Sequence, residues 1–186
     1  MNTNNEHVAY YQLALIQLVS SAEADYRTTC GKMLNAALAR ENSDDALEMF
    51  FTAWTCALAP GWLDDYSAPI QMARQAVKLQ PNNQQFLSGL GAILLRAGQY
   101  DEAHEKLVSA VKADPSEKAS PAYAAYLLAI AEYYRGDNVS AKKHLDDANR
   151  KARDELSATT TIPWNRKLTL ELFQDEAEFL IGNLHE

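Results

Sequence analysis

Apolar residues recur along this chain at intervals of three and four. Tyr123, Tyr126, Ile130 and Tyr133 form one line at i, i+3, i+7 and i+10. Ala103, Leu107 and Ala110 repeat the spacing, and so do Ala141, Leu145 and Ala148. This is the period of a helix, not the two-residue period of a strand. The pattern predicts helices over residues 6–19, 22–40, 44–59, 64–80, 83–97, 100–113, 120–135, 138–157 and 163–183. The breaks fall at Ser20-Ser21, Glu41-Asn42-Ser43, Pro60-Gly61, Pro81-Asn82, Gly98, Pro115 to Ser120, Gly136 and Ser157 to Pro163. Ser43 and Asp44 suit an N-cap, where a short polar side chain accepts from a free N–H. Pro163 suits the first turn of the last helix. That helix has apolar residues at 168, 170, 172, 173, 177, 179, 180 and 181. One face is expected to cover its neighbours, with Arg166, Lys167, Glu171, Asp175, Glu176 and Glu178 in water.

The helices repeat in pairs. Gly98 precedes Ala103 by five residues, and Gly136 precedes Ala141 by five. Ala76 lies five before Pro81, as Ala110 lies five before Pro115. A fixed period of this kind marks a stacked array, in which each unit buries its apolar face against the next. The segment 84–115 resembles a tetratricopeptide repeat, through Leu87, Leu90, Gly91, Gly98, Tyr100, Ala103, Ala110 and Pro115. Leucine replaces tryptophan at its fourth position and tyrosine at its eleventh. Gly91 and Ala103 are small where two helices must cross closely. Gly98 ends a helix, and Pro115 follows one. The resemblance implies an all-α fold: a right-handed solenoid of about four helix pairs with a C-terminal capping helix. The expected organisation is a single domain over 1–186, with a degenerate pair at 6–40, repeats at 44–81, 83–115 and 120–157, and a cap at 163–183.

Three further stretches, "YRTTC" (26–30), "AWTCALAPG" (53–61) and "PWNRKLTLELFQDEAEFL" (163–180), make the chain similar to tetratricopeptide tails of bacterial multidomain proteins. Such tails follow serine/threonine kinase domains or WD40 repeats. The resemblance implies a scaffold or interaction tail and not a catalytic unit. Met1 is compatible with an independent protein or with a piece of a longer one.

In such arrays the first helix of each pair lines the concave surface. Trp54, Ala92 and Ile130 then occupy equivalent inward positions, 38 residues apart each time. The resemblance thus implies a groove formed by Phe50, Trp54, Gln85, Ser88, Arg96, Tyr123, Tyr126, Ile130 and Tyr133. Tyrosine suits an interface, because it offers large area with few rotatable bonds. A groove of this kind fits a helical or extended peptide. It lacks the Lys/Asn set of the carboxylate clamp found in chaperone-binding relatives. The same residues could instead pack against the first or last helix, leaving a structural tail that self-associates or rests on a parent protein.

Composition narrows the chemistry. The 186 residues are 47% hydrophobic and 23% charged, with a formal net charge of −8. This is a globular composition and disfavours nucleic acid as a partner. Lys142, Lys143, Arg150, Lys151, Arg153, Arg166 and Lys167 do cluster, but acidic residues interleave with them, as on a solvated helical face. Cys30 and Cys56 lack metal-ligand spacing and are expected to be buried thiols. His7, His104, His144 and His185 are far apart, with His104 and His144 expected on outer faces. "GLG" at 89–91 lacks the third glycine and preceding strand of a phosphate loop. No metalloprotease, kinase or hydrolase motif is present. The expectation is therefore no catalysis, no cofactor and no metal. The N-terminus has no secretory pattern and no stretch is long enough to span a membrane, so the cytoplasm is the expected location.

Overall fold

The computed structural model describes residues 6–40, 45–113, 119–157, 161–182 and 184. Among them are nine helices and no strand: α1 (Glu6–Val19), α2 (Glu23–Leu38), α3 (Ala46–Cys56), α4 (Ser67–Leu79), α5 (Gln84–Arg96), α6 (Tyr100–Lys112), α7 (Pro121–Tyr134), α8 (Asn138–Ser157) and α9 (Trp164–Ile181). The expected N-cap residues Ser43 and Asp44, and likewise Pro115 and His185, lie outside the described residues. Asp45 caps α3, its carboxylate accepting from the Leu47 and Glu48 amides. Pro163 stands one residue earlier than expected, at the N-cap of α9.

The architecture is an all-α solenoid. The first helices of the pairs, α1, α3, α5 and α7, pack side by side in chain order. Each of α2, α4 and α6 packs on its own partner and on the first helix of the next pair. Gly91 is the reason α5 and α6 can approach so closely: a Cβ there would lie 2.5 Å from Leu107 Cγ. Gly98 and Gly136 end α5 and α7 with φ of +73° and +83°, the left-handed conformation that costs glycine nothing.

The core runs along the inner layer of helices. Every residue of α7 from Ala122 to Glu132 is buried. Its surroundings explain why: α6, α8, α9 and α5 all pack against it.

The last helix does more than cover the final pair. α9 packs on α7 and α8 and also reaches α1. Four helices side by side place the first and last axes about 27 Å apart, at ~9 Å per neighbour, and the 18 residues of α9 span about that length. α9 therefore lies across the inner layer, with Phe173 on Trp54 of α3 and Glu176 on Arg96 of α5. This corrects the expectation for two of its polar residues. Glu176 does not face water but forms a bidentate pair with Arg96, whose side chain is 2% exposed. Arg166 pairs with Glu155 and donates to the Ala119 carbonyl at 2.7 Å.

Candidate functional site

The expected groove residues divide into two groups. Phe50 and Trp54 on α3, Gln85 and Ser88 on α5, and Tyr123 on α7 line one cavity of about 480 Å³. It lies where the N-terminal turns of α1, α3, α5, α7 and α9 converge. Its aromatic walls interlock: the Phe50 and Trp54 rings stack at 5.7 Å and 25°, and Tyr123 meets Trp54 at 5.5 Å. Behind these walls, Phe173 of α9 packs edge-on against both Trp54 and Tyr123.

Arg96, Tyr126, Ile130 and Tyr133 do not line this cavity. Arg96 is turned to Glu176 of α9 and to the Ala57 carbonyl at the end of α3. Tyr126 is fully buried and donates to Asn149 Oδ1 of α8 at 2.7 Å. Burial first, then Glu178, pushes its phenol up to about 12, so it stays a neutral donor. Ile130 is fully buried and Tyr133 half-buried in the same core. A stripe on one line of α7 thus meets different neighbours, because the helix is enclosed on all sides.

The chain termini supply residues that the repeat pattern does not mark. His7, Val8 and Tyr11 come from α1, and Asn165 and Arg166 from α9. Tyr11 is held by α9 through a 2.6 Å hydrogen bond to Thr169. Tyr123 donates to the Arg166 carbonyl at 2.9 Å. Burial raises both phenols. His7 stacks on Phe51 at 4.9 Å and 25°. Burial lowers its pKa below the ordinary imidazole value. Apolar spacing on α1 and the Pro163 break are the only sequence signals for these two walls.

The polar groups at the cavity are largely engaged. Asn83 accepts from the Phe86 amide at the head of α5, and Ser120 accepts from the Ala122 amide at the head of α7. Ser120 also donates to Glu155, and Ser88 to the Gln84 carbonyl. Gln85 and Asn165 are half-buried at the rim. The Asn165 side chain hydrogen-bonds the Tyr11 phenol, whereas among the described residues no neighbour hydrogen-bonds the Gln85 side-chain amide.

Away from the cavity, His104 and His144 do not sit separately on outer faces. His104 Nε2 lies 2.8 Å from Glu132, a 5%-exposed carboxylate on α7 that also takes Arg135 at 2.9 Å. His144 on α8 feels the same carboxylate and has a buried Nδ1 with no hydrogen-bond partner. Among the described residues no His, Cys, Asp and Glu group could hold a metal. Cys30 and Cys56 are buried free thiols, and the Cys30 contact and burial raise the Cys56 pKa well above its ordinary value. The basic stretch of α8 is laced with acids, as Arg150 and Lys151 both pair with Asp147. No helix among the described residues is long and apolar enough to cross a membrane.

A tetratricopeptide repeat family model matches residues 72–105, from within α4 through α5 into α6. A search of curated proteins finds no match. Among solved structures, one described as "MamA RS-1 ArsTM double mutant" is 17% identical, covers 91% of this chain and 96% of that chain, and superposes with a TM-score of 0.48.

Proposed function

We propose that the chain is a non-catalytic protein–protein interaction module. The repeat match at 72–105 supports the class. The open cavity supports the place, and it is the observation that carries this reading: about 480 Å³ walled by Phe50, Trp54 and Tyr123 with Gln85 and Ser88 at its edge. A volume between 300 and 1,000 Å³ with apolar walls and few polar groups is that of a binding site. In this reading Arg96 holds α9 through Glu176, Tyr126 holds α8 through Asn149, and Ile130 and Tyr133 belong to the core, so none of the four is a partner contact. A scaffold role beside a bacterial kinase in the cytoplasm is part of the proposal and rests on the order of sequence motifs.

A second reading has its own observation. α9 fills the groove beyond the cavity, with Phe173 on Trp54 and Glu176 on Arg96. A tail with an internally occupied groove would bind nothing there and act through packing or self-association.

Affinity capture from a lysate of the source cells separates the two. Leu47 lines the cavity and is 42% exposed, so Leu47→Asp alters the rim without opening the core. Gln85→Arg does the same on α5. A partner held by the wild type and weakened at least tenfold by both folded variants supports the module. Equal capture by all three, together with a concentration-dependent dimer in light scattering, supports the internally packed tail.

A further inference from the structure

The outward face of α9 carries a second apolar row that the core does not absorb. Trp164, Leu168, Leu172 and Phe179 stand at i, i+4, i+8 and i+15, within an arc of about 80° at ~100° per residue. The buried residues Leu170, Phe173, Ala177 and Ile181 take the opposite side. Phe179 is 81% exposed and Trp164 47%, while Leu168 and Leu172 between them are half-buried. Glu171, Asp175 and Glu178 are exposed along the flank of the same row. We infer that this face is an interaction surface for a cationic amphipathic helix of a protein partner. It goes beyond the reading of the cavity, which none of these residues lines.

The row supplies the apolar half of the contact. One exposed phenylalanine is ordinary on a protein surface, but here four large side chains share ~22 Å of one helix face. Side chains at intervals of four form the kind of ridge that the grooves of another helix accept. The acidic flank fixes the charge of the occupant. Lys167 is the cation on this side, and its 3.8 Å pair with Glu171, both side chains at least half exposed, is a weak one. Arg166 and Glu176 are turned to Glu155 and Arg96. The face is left with an excess of carboxylate, in a chain of net charge −8. That sign repels nucleic acid phosphates and anionic lipid, and it attracts Lys and Arg.

Adjoining apolar and acidic stripes select a helix over an extended chain. In a helix, apolar and basic residues occupy neighbouring faces, so they reach the row and its flank together. An extended chain turns successive side chains to opposite sides, so the neighbours of its apolar residues point away from α9. A second copy of this chain offers a poor match. Its basic helix is α8, where Arg150 is already paired with Asp147 and Asp154, and Lys151 with Asp147. The partner is therefore a different protein, with Lys or Arg beside its apolar stripe.

The test uses the full chain and two dye-labelled helical peptides of the length of α9. Both carry the same leucine stripe, flanked by lysine in one and by glutamate in the other. Binding is read by fluorescence anisotropy at low and high salt. The lysine peptide is expected to bind at least tenfold more tightly than the glutamate peptide, and to weaken as salt is added. Phe179→Ser, at an 81%-exposed position, leaves the core intact and should weaken the lysine peptide at least tenfold. Glu171→Gln with Asp175→Asn should weaken it severalfold and flatten its salt dependence. Glu23→Gln with Asp25→Asn removes the same charge from α2 and should leave binding unchanged. Equal binding of the two peptides, full affinity in folded Phe179→Ser, or an equal loss in the α2 variant overturns the inference. Loss of the peptide in Leu47→Asp places it in the cavity and overturns the α9 surface. A dimer of the chain alone that Phe179→Ser abolishes overturns the foreign partner in favour of a second copy. Lysate capture with the cavity variants decides the interaction module separately.

Discussion

Two glycines inside helices behave oppositely because of what surrounds them. Gly91 has Leu107 2.5 Å from where its Cβ would be, whereas Gly31 has nothing within 4 Å. Gly91→Ala is therefore expected to destabilise the protein by about 1–3 kcal/mol through overpacking. Gly31→Ala should stabilise it by about 0.5–1 kcal/mol, since alanine loses less entropy in a helix. Urea denaturation of both variants checks the pair. The small residue at 91 was legible from the repeat spacing, whereas the role of Arg96 was not. Its partner Glu176 is 80 residues away and enters from α9. Glu176→Gln leaves a 2%-exposed guanidinium without its carboxylate, facing a neutral amide and the Ala57 carbonyl. The expected loss is about 3 kcal/mol, the magnitude for halving a buried pair. A loss below half of that in the same urea assay would show that α9 is held mainly by its apolar face.

Among the elements, α7 shows the limit of pattern reading. Its helical period is plain in the sequence, but the stripe of Tyr123, Tyr126, Ile130 and Tyr133 does not tell which side is open. Periodicity marks a buried face only when another face is wet. Here Tyr123 meets α9, and Tyr126 meets α8. Glu132 on the same helix is buried because it serves His104 and Arg135. The neighbouring His144 has its pKa lowered by burial, against the opposing pull of Glu132 and Asp147 and with Lys143 and His104 acting alongside. A histidine whose folded pKa lies below its unfolded value favours the unfolded state as protons are added. Its full stability contribution is present above pH ~6.5 and declines as pH falls through the folded pKa. His7 acts in the same direction. The urea midpoint is thus expected to fall from pH 7 to pH 5, and His144→Gln should flatten that slope. An unchanged slope in this variant would remove His144 from the acid response.

At the scale of the molecule, α9 joins the two ends of the array. Leu170, Phe173 and Ile181 are each at most 1% exposed. Burying three such side chains contributes roughly 5–9 kcal/mol, comparable with the whole stability of a domain, about 5–15 kcal/mol. Removing residues 161–186 should abolish a single cooperative transition and shift tryptophan emission to the red as Trp54 becomes wet. A truncated chain that melts in one step within a few degrees of the intact protein would show that the four pairs stand alone.

The sequence by itself determined the helices, their pairing and the close crossings within each pair. Those depend on period, caps, glycine and proline, all of which act over a few residues. Only the tertiary structure decided that the last helix lies across the inner layer, against Trp54, Tyr123 and Arg96, and that Tyr126 and Ile130 are buried in the core. The bonds that set this join Tyr11 to Thr169 and Arg96 to Glu176, separated by 158 and 80 residues. A helix with apolar residues on much of its surface fits either an outer cap or an inner strut. Its local pattern is the same in both, and the choice belongs to the side chains it meets on the other helices.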